Sequence, residues 1–120
     1  MYIEHSDNII QDLSFSLAVR IVNFYKHLTD NKKVFVLSKQ ILRSGTSIAA
    51  NVRESIHAQS EADFVHKLQI ALKEADETLY WLELMNATEI ITETEFNSLS
   101  ADTKQIIGTL VKIIKSKKCQ

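Results

Sequence analysis

The sequence predicts an all-α protein, an antiparallel up-down-up-down four-helix bundle that assembles into a homo-oligomer. Three observations carry this reading. The 120 residues contain no proline and two glycines, Gly45 and Gly108, so the usual punctuation of strands and hairpins is missing. Apolar residues recur at helical spacing in four segments, about 9–29, 34–58, 61–90 and 94–117. Two of those segments are apolar on more than one face, which is more than a lone bundle hides. At 45% hydrophobic content the chain has the size and apolar mass of one domain spanning residues 1–120.

The first segment sets Ile10, Leu13, Leu17, Ile21, Phe24 and Leu28 on one stripe and ends at the polar run Asp30-Asn31-Lys32-Lys33. The second places Leu37, Ile41, Ile48, Val52 and Ile56 on its stripe. The third opens at Ser60, whose hydroxyl can cap a free N–H while Asp63 reaches back, and continues through Phe64, Leu68, Ala71, Ala75, Leu79 and Leu82. The fourth opens at Thr92 with Glu95, a capping box, and carries Phe96, Leu99, Thr103, Ile107, Leu110 and Ile114. Steps of three and four residues suit helices crossing at roughly 20°. Short connections make neighbours antiparallel.

Segment one also carries Phe15, Val19 and Val22 off its stripe, and segment three carries Ile70, Trp81, Leu84 and Met85. Aromatic and Met side chains are typical of association surfaces, so these seven residues are the predicted interface between copies. The alternative is that they are scattered exposed apolar residues without consequence.

The stretch Ser44-Gly45-Thr46-Ser47-Ile48-Ala49-Ala50-Asn51-Val52-Arg53-Glu54-Ser55 is rich in small side chains. No strand precedes it, so it is not a phosphate-cradling turn. His57 points away from Ser44 and Ser47 on a helical wheel, so no base activates a serine. Small residues there instead let another helix approach closely. Arg43, Ser44, Asn51, Glu54 and Glu74 are then the expected members of a polar seam, within the bundle or between subunits, with Lys67 and Glu77 as further partners.

Glu54-Ser55-Ile56-His57 and Asp63-Phe64-Val65-His66 have the carboxylate-x-x-His spacing of di-iron bundles. Both lie off the core stripes and lack additional inward carboxylates, so no metal, cofactor or catalytic residue is expected. His5 and His27 add no ligand to them. Cys119 alone makes neither an internal disulfide nor a multi-cysteine site. Acidic residues at the N-terminus and the lack of a long uncharged apolar run argue against a secretory signal or membrane span, so a cytoplasmic protein without a membrane partner is expected.

The net charge of −1 is uneven. Residues 61–95 carry nine acids against two lysines, while residues 96–120 carry five lysines against one acid. Lys32 and Lys33 sit in a loop, Lys39 and Arg53 on segment two, and Lys112, Lys115, Lys117 and Lys118 at the end of segment four. Repeated by an oligomer, these form the candidate nucleic-acid surface. The terminal lysines also suit a helix C-terminus and keep the chain soluble.

The strings LRSGTSIAANVRES at 42–55 and ADFVHKLQIALKEADETLYWLEL at 62–84 resemble the four-helix-bundle family of 23S rRNA intervening-sequence proteins. That family is similar in turn to the accessory variability protein of diversity-generating retroelements, which is linked to nucleic acid and reverse transcriptase binding. The resemblance covers nearly the whole chain. It implies a bacterial cytoplasmic bundle assembling into a pentamer, with Arg43, Ser44, Asn51, Glu54, Glu74, Tyr80 and Trp81 at structural or interface positions. The expected function is a non-enzymatic oligomeric adaptor associated with RNA. The alternatives are a protein-protein scaffold without nucleic acid, and a metal-dependent or hydrolytic enzyme.

Overall fold

The structure, a computed structural model, describes the backbone of residues 5–118 and the side chains of residues 8–117. It contains four helices, α1 (His5–Asp30), α2 (Val36–Ile56), α3 (Glu61–Ala87) and α4 (Glu93–Lys118), and no strand among the described residues. Helix α1 packs on α2, α2 on α3, α3 on α4, and α4 closes the ring on α1. The backbones of the diagonal pairs stay apart. The body measures 46 × 20 × 19 Å, close to the ~40 Å that a 27-residue helix spans at 1.5 Å per residue. Registers fall as they are followed along the chain: Arg43 meets Glu74 and Glu77 while Glu54 meets Lys67, and Arg20 meets Asp102 while His27 meets Glu95.

Helix ends follow local chemistry. At α4 the capping box is complete: the Glu95 N–H donates to Thr92 Oγ1 at 3.1 Å, and the Thr92 N–H donates to Glu95 Oε1 at 2.8 Å. At α3 the Asp63 N–H donates to Ser60 Oγ at 3.0 Å, but the Asp63 carboxylate reaches past Ser60 to the Gln59 N–H at 3.3 Å. The periodic pattern of segment three continues to residue 90, yet α3 stops at Ala87. Glu89 turns left-handed at φ 61, and the Ile90 N–H returns to the Met85 carbonyl at 2.9 Å, a Schellman closure. Ile90 and Ile91 supply apolar contact to the core from this turn, which imitates a further helical repeat in the sequence. Segment two is likewise shorter than its pattern, starting at Val36 and ending at Ile56.

The core is lined by Leu17, Ile21 and Leu28 of α1, Ile41, Ile48 and Val52 of α2, Phe64, Leu68 and Leu82 of α3, and Leu99 and Leu110 of α4. Three placements correct the sequence expectation. Met85, assigned to an outer face, is fully buried within the chain, because the stripe of α3 runs through Ala75, Thr78, Leu82 and Met85 and leaves Leu79 half-buried. On α4 the buried positions include Ile106 and Ile113, while Phe96 and Ile107 stand at the margin. Lys117, assigned to a nucleic-acid surface, is buried with its Nζ 5.6 Å from the centre of the Phe64 ring, so its charge faces an aromatic rather than solvent.

Helix α2 approaches α1 closely at Gly45. A Cβ added at Gly45 would stand 2.8 Å from both Cγ1 and Cγ2 of Ile21 on α1. Its neighbour Ser44 looks to the other side, its Oγ 2.9 Å from Thr78 Oγ1 of α3. Most buried hydroxyls are satisfied by their own helix: Ser14 donates to the Gln11 carbonyl, Ser38 to Phe35, Thr78 to Glu74, Ser100 to Asn97 and Thr103 to Leu99.

Candidate interaction surfaces

Ser47 donates to the Arg43 carbonyl at 2.6 Å and Thr46 to the Leu42 carbonyl at 2.7 Å, so these hydroxyls are committed to backbone. Among the described residues no three His, Cys, Asp or Glu side chains are grouped to hold a metal ion. What the fold builds are a polar seam, an apolar groove and two groups of cations.

The seam runs between α2 and α3. Arg43 donates to Glu74 Oε2 at 3.0 Å and to Glu77 Oε2, and Trp81 Nε1 donates to the same Glu77 oxygen at 3.0 Å. The Arg43 hydrogen bond, followed by that of Trp81, holds the Glu77 carboxyl below its ordinary value, and Glu77 in turn raises Arg43. Lys67 donates to Glu54 Oε1 at 3.0 Å farther along. Asn51 does not cross the seam, since its Nδ2 donates to the Ser47 carbonyl of its own helix at 2.9 Å. Thr78 joins through Ser44, a partner that the sequence reading missed although it follows Glu74 by four residues on the same face. The Arg43 side chain is 50% exposed, which in a single chain puts these pairs in the class worth about 0–1 kcal/mol.

The apolar surface of α1 is open. Phe15 is 59% and Val19 46% exposed, and Val22 is half-buried. Beside them a groove of about 360 Å³ runs between α1 and α2, with Ala18, Ala49 and Ala50 among its lining, Phe15 on one wall and Arg53 on the other. On the diagonally opposed helix, Ile70, Trp81 and Leu84 are half-buried and Tyr80 is exposed, its ring edge-on to Trp81 at 5.0 Å. Thus α1 and α3, whose backbones stay apart, each carry an apolar outer face.

The predicted cations divide between the two ends of the bundle. At the end where α1 stops and α2 starts, Lys32 donates to the Ile90 carbonyl at 3.0 Å and to Glu95 at 3.4 Å, and Lys33 to the Asp30 carbonyl at 3.0 Å, while Lys39 is exposed. At the other end lie Arg53, Lys112 and Lys115, all exposed. Lys39, Arg53, Lys112 and Lys115 take part in none of the ion pairs among the described residues. Lys118 and Cys119 lie outside the described side chains. Two exposed apolar residues at the first end, Phe35 (55%) and Val36 (73%), were missed because they fall inside segment two ahead of its core stripe, which starts at Leu37. Their signal was position, directly after the Asp30–Lys33 break.

A four-helix chain with a tight α1–α2–α3 junction and open apolar faces defines a helical-bundle module, and the comparisons place it. Residues 6–112 match the family model described as 23S rRNA-intervening sequence protein, and the chain belongs to that family. A crystal structure of a protein of unknown function from the S23 ribosomal protein family of Bacteroides thetaiotaomicron VPI-5482 is similar, with 57% identity and a TM-score of 0.90 over 92% of this chain and 98% of that one. No curated protein matches the chain. No helix among the described residues is long and apolar enough to cross a membrane.

Proposed function

We propose that this protein is a non-catalytic adaptor of the cytoplasm that assembles with copies of itself and meets RNA in the assembled form. The falling registers of the α1–α4 and α2–α3 contacts support an antiparallel up-down-up-down order for each copy. The observation that carries the reading is the bare apolar face of α1, Phe15 at 59% and Val19 at 46% exposure beside an alanine-lined groove. Such a face normally meets another protein surface. The Trp81–Leu84 face of α3 is unlike it and sits on the opposite corner, which favours head-to-tail contacts that close into a ring. Resemblance argues for five copies in that ring. The unpaired cations Lys39, Arg53, Lys112 and Lys115, multiplied by the ring, supply phosphate contacts, and the family description, which names 23S rRNA, supports RNA as the polyanion.

Light scattering after size exclusion tests assembly. A multiple of the 13.7 kDa chain is expected, with Phe15→Glu returning the particle to one chain at unchanged helicity. A wild-type particle of one chain at high concentration overturns assembly. Mobility shift with structured RNA at two salt concentrations tests the second half, since phosphate contacts strengthen as salt falls. A second reading, a protein scaffold without RNA, is favoured by the acid-rich segment 61–95 and takes over if no shift occurs at low salt.

A further inference from the structure

The tip formed by the α1–α2 loop and the first turn of α2 is apolar and cationic at once. Phe35 and Val36 are 55% and 73% exposed, an unusual state for two consecutive large apolar residues beside a core. Lys33 and Lys39 flank them and Lys26 is exposed on the last turns of α1. No side chain caps the N-terminus of α2, so its first N–H groups add positive potential at the same corner. Lys33 holds its place with φ at 58 and its Nζ on the Asp30 carbonyl.

We propose that this tip is a contact for single-stranded nucleic acid, RNA in the assembled adaptor, with Phe35 stacking on a base while Lys33 and Lys39 meet the flanking phosphates. An aromatic face next to cations is the arrangement that holds unpaired bases with little regard to sequence. The acids at this end decide against a flat anionic membrane. Glu89 and Glu93 are exposed in and just after the α3–α4 connection, and Asp30 is exposed on α1. A bilayer would press against all three, whereas a strand needs only the α1–α2 corner. Glu95 is already held by Lys32 and Thr92. The inference rests on the RNA-adaptor reading and narrows it to one strand form and one end of the bundle.

The test is fluorescence anisotropy of the full chain with a labelled mixed-sequence RNA of about 12 nucleotides, single-stranded or annealed to its complement. The single strand is expected to bind more tightly than the duplex, whose base faces are hidden. Phe35→Ala is expected to weaken the single strand by at least about fivefold, the low end for losing one stacking aromatic, and Phe35→Tyr to retain it. Lys33→Gln with Lys39→Gln should make the dependence of log affinity on log salt shallower by about 1.4, the equivalent of two single-strand phosphates. Lys112→Gln with Lys115→Gln should leave the preference for single strand over duplex, and the loss caused by Phe35→Ala, as they are in wild type. If Phe35→Ala and Phe35→Leu both bind as wild type while the Lys112 and Lys115 changes abolish binding, or if duplex binds as well as strand, the tip assignment is overturned and the RNA-adaptor reading stands. If neither RNA binds at low salt, both fall. Binding to vesicles containing anionic lipid with no RNA binding also overturns both, and assigns the tip to lipid.

Discussion

Gly45 and Gly108 are the same residue type in the same secondary structure with opposite roles. A methyl group on Gly45 would collide with Ile21 at 2.8 Å, whereas one on Gly108 meets nothing within 4 Å. Helix propensity favours alanine over glycine by about 1 kcal/mol at either site. At Gly108 that gain stands alone, so Gly108→Ala is expected to raise stability by about that amount. At Gly45 overpacking of a filled core costs about 1–3 kcal/mol, so Gly45→Ala is expected to be destabilising despite its better propensity. Urea denaturation of both variants checks the pair, and pairing Gly45→Ala with Ile21→Ala should recover part of the close approach. An unchanged midpoint for Gly45→Ala would mean α1 and α2 do not pack this tightly. The small residues of 44–50 announced a close helix contact in the sequence, but not that adjacent residues serve two different partners. A one-residue step of about 100° around a helix turns Ser44 to α3 and Gly45 to α1, and a search for one contact face hides this.

Among the elements, α4 shows how its start is tied to acid. Partial burial pushes the Glu95 carboxyl up, but hydrogen bonds from Thr92 and the charge of Lys32 outweigh it and hold the group below its ordinary 4.5. A carboxyl depressed on folding stabilises fully above its unfolded value and loses that stabilisation as pH falls through the folded one. The capping box therefore weakens only below about pH 4.5, and Glu77, held down by Arg43, acts in the same sense. Thermal melts between pH 7 and pH 3 should show a smaller loss for Glu95→Gln than for wild type. At neutral pH Thr92→Ala should cost about 1 kcal/mol through the lost cap. Equal acid slopes for wild type and Glu95→Gln would remove Glu95 from the account. This cap was legible because its residues and spacing are local. The end of α3 was not, because Ile90 and Ile91 continue the apolar rhythm after the helix has turned, and Glu89 occupies a left-handed position where glycine is the usual marker. Met85 was misplaced for a related reason: a stripe drawn through Leu79 instead of Thr78 rotates the whole face, and a buried threonine bonded to its own helix looks polar in a sequence while behaving as core.

For the whole molecule, each helix packs mainly on its neighbours in sequence, with α4 closing on α1. Local contacts of this kind favour fast folding. With no proline in the chain, the slow isomerisation that takes tens of seconds at 25 °C has no residue to arise from. Refolding from urea is expected to be complete within about a second, apart from steps that accelerate with protein concentration and report assembly. A slow phase independent of concentration would contradict this. The separation of cations onto two ends of a 46 Å body was invisible in the sequence, where Lys39 and Arg53 share a helix and look like one patch. It took the folded register to show that Lys39 keeps company with Phe35, and Arg53 with the groove beside Phe15.

The pinch at Ser44 and Gly45 has a mechanical consequence. Rolling α2 about its long axis in either direction would drive backbone into Ile21 or pull the Ser44 hydroxyl from Thr78, so the helix behaves as a keyed shaft. Whatever docks along its outward ridge meets side chains whose bearing is locked to α1 and α3, and a signal that reorients them must move the three helices together.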